Sequence, residues 1–220
     1  MADKGANPWY SIKVEDYENH MQHPDVAQMQ MLNQIMRRQI ESIPADERSG
    51  AVVAILGITN GNGLEHIKPL HIKKVIGIDI NEEFLDCCRQ RYHALGDALC
   101  LEQIDLVEEK DRAVEALKEA DLIIANLLIE HIHLDRFVAI IGELPRHGQR
   151  ISCVIQVNPD GAIVSASGYE HAFDEVLTIV EEADEKNLAL RMGEIGCLLN
   201  TKTSYSLPNG KVFVRLDFGA

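Results

Sequence analysis

The sequence predicts an α/β fold: a mostly parallel β-sheet with helices on both faces, ending in an antiparallel hairpin. Two observations carry that reading. Short runs rich in Val, Ile and Leu alternate with segments of helical period. Strands that are apolar on both faces belong to parallel sheets covered on both sides. Near the end, Leu207-Pro208-Asn209-Gly210 separates two β runs. Asn-Gly at such a place is a strong hairpin signal.

The elements follow in order. The first 24 residues are mixed and carry Trp9, Tyr10, Tyr17, His20 and His23. A helix is predicted over 25–40, because Val26, Met29, Leu32, Met36 and Ile40 recur at threes and fours and share one face. Asp25 is placed to cap it, and Pro44 forbids its continuation. Met29, Met31 and Met36 read as packing side chains. Residues 46–50 read as a loop. The period then changes to a β run over 51–56, a glycine-rich turn over 57–63 and a short helix over 64–69. A second β run spans 74–80, and a helix follows over 82–92 with Asn81 as its cap. A third run covers 98–103, a helix 111–120 and a fully apolar fourth run 121–128. Residues 134–144 form a helix stopped by Pro145, and 150–157 a fifth run. A long amphipathic helix is predicted over 169–185, with an acidic, solvated end. One or two β segments are expected within 188–205, and an alternating run over 211–218 completes the hairpin.

Composition narrows the function. A chain of 220 residues is sized for one domain or two small ones, with a core that needs no staples. Lys plus Arg is 21 against 35 Asp plus Glu, a formal net charge of −14. That disfavours a broad nucleic-acid or anionic-membrane surface, since both need a basic footprint. No apolar run reaches the ~18 residues of a membrane span. The polar start, residues 1–5, lacks the apolar core of a signal peptide. Cys87, Cys88, Cys100, Cys153 and Cys197 are odd in number and contain no CxxC. This is a reduced, cytoplasmic pattern. The organisation expected is an N-terminal cap or lid, 1–48, and a main domain, 49–220.

The informative stretch runs from Val52 through Gly57, Gly61 and Gly63 to Glu65. A strand, a glycine-rich turn and a helix start form the arrangement that holds a nucleotide. Glycines let the backbone approach the ligand and adopt positive φ. Free N–H groups at the helix start favour a carboxylate or phosphate. Asp79 ends the next β run, where an acid can accept hydrogen bonds from both ribose hydroxyls. A dinucleotide and S-adenosylmethionine both fit. The glycine spacing departs from G-x-G-x-x-G, and little length remains for a dehydrogenase's second domain.

With these residues in place, the chain from about residue 49 onward resembles the class I S-adenosylmethionine-dependent methyltransferases of small-molecule type. Gly57, Gly61 and Gly63 match the family's first motif. Ile55 stands where the family has an acid, and Thr59 replaces its middle glycine. Thr59 and Asn60 are candidates for replacement polar contacts. Asp79 resembles the ribose-binding second motif, and Asp105 the acid facing the adenine amino group. Ile80 and Ile104 would flank the adenine. Asn126 lies in the fourth-motif position, beside the methionine portion and the substrate. The resemblance implies a Rossmann-like seven-stranded sheet, ordered 3-2-1-4-5-7-6, with the seventh strand antiparallel. It also implies S-adenosylmethionine as cofactor and methyl transfer as activity.

Catalytic candidates are His131 first and His20 second, each as a general base for an acceptor that must lose a proton. Tyr17, His20 and His131 are the substrate-binding candidates, with Tyr17 and His20 on a lid. The His131-x-His133 pair has no matching acidic or cysteine cluster, so no metal site is expected. The acidic surface and short chain favour a small-molecule acceptor over nucleic acid. Exposed apolar residues on the N-terminal helix would suit a homodimer as well as a lid. The alternative is a non-catalytic protein that binds another nucleotide or metabolite on the same fold.

Overall fold

The computed structural model describes residues 7–145, 148–159 and 161–219. The polar start read at residues 1–5 lies outside them. Among the described residues the seven strands are β1 (Val52–Leu56), β2 (Lys74–Asp79), β3 (Leu99–Gln103), β4 (Leu122–Asn126), β5 (Arg150–Val157), β6 (Leu198–Ser206) and β7 (Val212–Gly219). They form one sheet, ordered β3-β2-β1-β4-β5-β7-β6. The β1, β2, β3, β4 and β5 pairings are parallel, while β7 runs antiparallel to both β5 and β6. The Leu207–Gly210 turn closes the expected hairpin: Leu207 N–H donates to the Lys211 carbonyl.

The central strands are buried on both faces because their side chains alternate between two cores. Ala54 and Leu56 of β1 enter one core with Ile123 and Ala125 of β4. That core also takes Leu117 from α4 (Lys110–Leu117), Phe137 and Ile141 from α6 (Leu134–Gly142), and Leu188 and Met192 from α7 (Glu185–Glu194). Val53 and Ile55 enter the other core with Ile124. It is shared with Met36 and Ile40 of α2 (Gln28–Glu41), and with Leu85 and Cys88 of α3 (Glu82–Arg91). Asn81 caps α3 as expected, its Oδ1 accepting the Glu83 N–H at 2.9 Å.

Three local expectations are corrected. The first 24 residues contain α1 (Val14–Met21), and Asp25 does not cap α2. Ala27 takes that place at φ 50°, while the Asp25 N–H is tied to His23 Nδ1 in a preceding turn. The long helix over 169–185 is replaced by two short 3-10 turns, Glu170–Phe173 and Val176–Thr178. Their apolar residues are spent locally: Phe173 and Val176 pack on Ile12 and Phe84. The helix starts only at Asp184, whose Oδ1 accepts the Asn187 N–H at 2.7 Å. That cap, with Glu185 in the first turn, makes 185–194 helical, and the β structure expected within 188–205 begins at Leu198 as β6. The acidic run is therefore the start of a helix.

Candidate functional site

In an open α/β sheet, ligands bind outside the carboxyl ends of the strands. Here the ends of β1, β2 and β4 open into a cavity of about 170 Å³. The N-terminal segment and the stretch after β5 cover it. Gly57, Thr59, Asp79, Ile80, Ile104, Asp105 and Asn126 line one part. Trp9, Tyr17, His20, Gln28, Glu130, His131, Gln156 and Phe173 line the rest.

Asp79 is 7% exposed at the end of β2. Its Oδ2 accepts the Thr59 N–H at 2.8 Å and its Oδ1 the Asn81 N–H at 2.9 Å. Burial pushes its pKa up to about 6, against the pull of those backbone donors. Each oxygen keeps a lone pair for a further donor. Asp105 Oδ1 accepts the Val107 N–H at 2.8 Å, which fixes the carboxylate at the cavity wall. Asn126 lines the cavity, but its amide is engaged on both sides: Oδ1 accepts from Gln39 Nε2 at 2.8 Å, and Nδ2 donates to Gln39 Oε1 at 3.0 Å.

Three sequence candidates do not line the cavity wall. Asn60 is fully buried, and its Nδ2 donates to Glu18 Oε1. Gly61 has φ 85°, and a Cβ there would stand 2.7 Å from Cys88 Sγ and the Tyr92 ring. Gly63 has φ 94°, and a Cβ would stand 2.6 Å from Met36 Cγ. These two glycines are demanded by backbone conformation and by close packing of the turn on α3 and α2. Thr59 holds φ 49°, a left-handed conformation costly for a β-branched residue. Its N–H bond to Asp79 and a side-chain hydrogen bond with Tyr17 hold it there.

The histidines differ from the general-base expectation. The Trp9 indole Nε1–H donates to His131 Nδ1 at 3.2 Å. An indole can only donate, so Nδ1 carries the lone pair and the neutral ring carries its proton on Nε2. Burial lowers the His131 pKa to about 4. His131 is thus a neutral ring that offers an N–H, because its one accepting nitrogen is taken. His20 is 4% exposed, lies 2.7 Å from Ser167 Oγ through Nδ1 and packs on the Phe173 ring. Burial lowers its pKa too. Tyr17 sits against Phe84 and Trp9, and burial raises its hydroxyl pKa to about 12.

Glu130 was missed. It follows β4 on the short helix α5 (Ile129–Ile132) and is 7% exposed. Its Oε1 accepts the Gln156 N–H at 2.9 Å, while Oε2 is buried without a hydrogen-bond partner. Burial raises its pKa to about 7. A glutamate beside two histidines reads as a surface helix start in sequence; in the fold it is tied to β5 through Gln156 and to Glu181, whose N–H donates to the Glu130 carbonyl at 2.9 Å. Among the described residues no group of three His, Cys, Asp or Glu could hold a metal ion.

The comparisons with known proteins bear on the fold that frames this cavity. The family model for a methyltransferase domain matches residues 55–152, the stretch from β1 to β5 that carries the Asp79 side of the cavity. Over those residues the chain is similar to a methyltransferase domain. The chain is similar in fold to magnesium protoporphyrin IX methyltransferase from Synechocystis PCC 6803, solved with bound SAM. That match has 15% identity and a TM-score of 0.66, and covers 96% of this chain and 92% of the other. It is also similar to 1,6-didemethyltoxoflavin-N1-methyltransferase from Burkholderia thailandensis: 17% identity, TM-score 0.59, 94% and 87% covered. A third likeness is geranyl diphosphate C-methyltransferase from Streptomyces coelicolor A3(2): 10% identity, TM-score 0.57, 81% and 79% covered. No curated protein sequence matches the chain. The chain has, among its described residues, no helix long and apolar enough to cross a membrane.

Proposed function

We propose that this methyltransferase modifies a small molecule held in the cavity beside the Asp79 cradle, with residues 7–48 acting as its lid. The observation that carries the reading is a buried carboxylate at the end of β2, in the wall of the same cavity as Gly57 and Asp105. The residues fit an adenosyl group. Gly57, at φ 66°, leaves space that a Cβ would close against Leu128, 3.2 Å away. Asp79 would accept from the ribose hydroxyls. Asp105 would accept from the adenine amino group through its remaining lone pairs. Ile80 and Ile104 would supply apolar faces for the base. S-adenosylmethionine supplies an activated methyl group; the protein supplies position and exclusion of water.

The lid is tied down by side chains from several elements. Asn81 Nδ2 donates to the Trp9 and Ile12 carbonyls at 2.9 and 2.8 Å, and Glu18 pairs with Arg91 at 2.7 Å. Aromatic and aliphatic groups, including Trp9, Met21, Leu32, Phe173 and Val176, dominate the rest of the wall. They suit an acceptor with a flat apolar body.

Calorimetric titration with S-adenosylhomocysteine tests the cofactor half. We expect saturable binding, weakened at least about 100-fold in Asp79→Ala, since hydrogen bonds to a charged group contribute roughly 1.5–3 kcal/mol each. Affinity should also fall as pH drops below about 6, where Asp79 takes a proton and loses acceptor strength. Equal affinity in both proteins removes Asp79 from the site. The non-catalytic alternative is motivated by Ile55, a buried apolar residue where the family has an acid. Turnover of S-adenosylmethionine with any acceptor ends that alternative.

A further inference from the structure

A cavity wall that contains an unpartnered buried carboxylate oxygen is incomplete. Removing such a group from water without a compensating hydrogen bond is costly. Glu130 Oε2 is in that position, while Oε1 is held by the Gln156 N–H. Its neighbour His131 also walls the cavity and presents an N–H, since Trp9 occupies Nδ1. The two consecutive residues therefore offer one acceptor and one donor at the end of β4.

We propose that Glu130 is the general base of this methyltransferase, and that its acceptor is an apolar molecule bearing an O–H or N–H group that hydrogen-bonds Glu130 Oε2. This rests on the small-molecule reading above and names its substrate class. The acceptor's oxygen or nitrogen forms the new bond to the methyl carbon. The methyl–sulfur bond breaks, and its electron pair stays on sulfur as the neutral thioether. The acceptor's proton passes to Glu130 Oε2, leaving a carboxylic acid that later returns the proton to water. His131 Nε2–H supports the acceptor atom or a neighbouring oxygen. An acceptor carboxylate is disfavoured, because it brings no proton to Oε2 and places like charges together. Burial, which raises the Glu130 pKa to about 7, suits a base working near neutrality.

The test uses a matched set of probes: 2-naphthol, 2-naphthylamine and 2-naphthoate. Each is titrated into wild type and Glu130→Gln at a pH of about 8, with and without S-adenosylhomocysteine. The glutamine keeps the volume of the side chain, and thermal unfolding checks that the variant is folded. We expect wild type to prefer the naphthol and naphthylamine over the naphthoate by about tenfold or more. Glu130→Gln should lose that preference, binding naphthoate more tightly than wild type does. With an accepted probe and labelled S-adenosylmethionine, Glu130→Gln should lose about 100-fold or more in kcat. Identical preferences in the two proteins, or no binding of any probe to wild type, overturn the proposal. The adenosyl titration separates the two readings. Loss of S-adenosylhomocysteine binding in wild type refutes the cofactor assignment, whereas a preserved preference switch without it would leave Glu130 as the acceptor-recognising group.

Discussion

The two halves of the cavity are built in different ways. The half at β1, β2 and β3 is assembled from residues that end consecutive strands, and Thr59 is hydrogen-bonded to Asp79 across only 20 positions. The half at β4 and β5 is assembled from distant segments. Trp9 meets His131 across 122 positions, Gln28 meets Gln156 across 128, and His20 meets Ser167 across 147. The first half is a property of the strand–turn–helix repeat and, in the reading proposed above, holds the cofactor. The second depends on how the N-terminal segment and the stretch after β5 fold over the sheet, and this is where an acceptor can be selected.

The largest expected effect breaks the first half. Gly61→Val places a branched side chain at φ 85°, 2.7 Å from Cys88 Sγ and Tyr92. Were Gly61 a ligand contact, as its place in the glycine-rich turn implies, this substitution would block the ligand. The geometry instead predicts damage to the fold, through left-handed strain plus overpacking, of roughly 3 kcal/mol or more. Denaturant unfolding should show that loss in the absence of any ligand. A variant as stable as wild type that fails to bind S-adenosylhomocysteine would return Gly61 to the ligand surface.

Gly61 also shows what the sequence could disclose. The terminal hairpin, Asn81 as a helix cap and the placement of Asp79 follow from period, turn chemistry and local spacing, while the strand order and the reading of Asp105 come from the family resemblance. The same spacing cannot say which way a glycine faces, and Gly61 and Gly63 turn toward α3 and α2. The half at β4 and β5 was legible only in part. Tyr17, His20 and His131 were named and do line the cavity. The hydrogen bonding of His131 is set by an indole far away in sequence, which local spacing cannot foresee. Glu130 escaped notice because an acid at a helix start usually faces water. Residues 169–185 were misjudged because their apolar spacing serves tertiary packing on Ile12 and Phe84.

A smaller effect sharpens the second half. Trp9→Phe keeps an aromatic ring against Tyr17 and Phe173 but removes the indole donor. His131 Nδ1 is then released to take a proton. The His131 pKa should rise from about 4, with burial and His133 still holding it below the ordinary histidine value near 6.5, read by NMR of the ring protons. A lower folded than unfolded pKa means the folded state resists protonation, so wild type loses stability as pH falls from about 6.5 toward 4. Trp9→Phe should soften that loss while leaving S-adenosylhomocysteine affinity unchanged. A change in cofactor affinity instead would show that the two halves are mechanically linked through the lid.

The smallest effect lies where the halves touch. Thr59 stands at φ 49°, shares a side-chain hydrogen bond with Tyr17 and donates its N–H to Asp79. Thr59→Gly removes a left-handed penalty of roughly 1–2 kcal/mol. It also gives up the Tyr17 contact, about 1 kcal/mol, and adds unfolded-state entropy. These contributions oppose one another, so stability should change by no more than about 1 kcal/mol. The N–H bond to Asp79 survives, and S-adenosylhomocysteine affinity should stay within about threefold of wild type. Thr59→Ala separates the contributions: it keeps the strain and loses the hydroxyl, so it should be the less stable of the two variants. If Thr59→Ala matches wild type and Thr59→Gly is weaker, the hydroxyl contributes nothing and glycine's extra freedom is the cost. If Thr59→Gly loses cofactor affinity as strongly as Asp79→Ala, the threonine side chain replaces what the missing strand-one acid does elsewhere in the family.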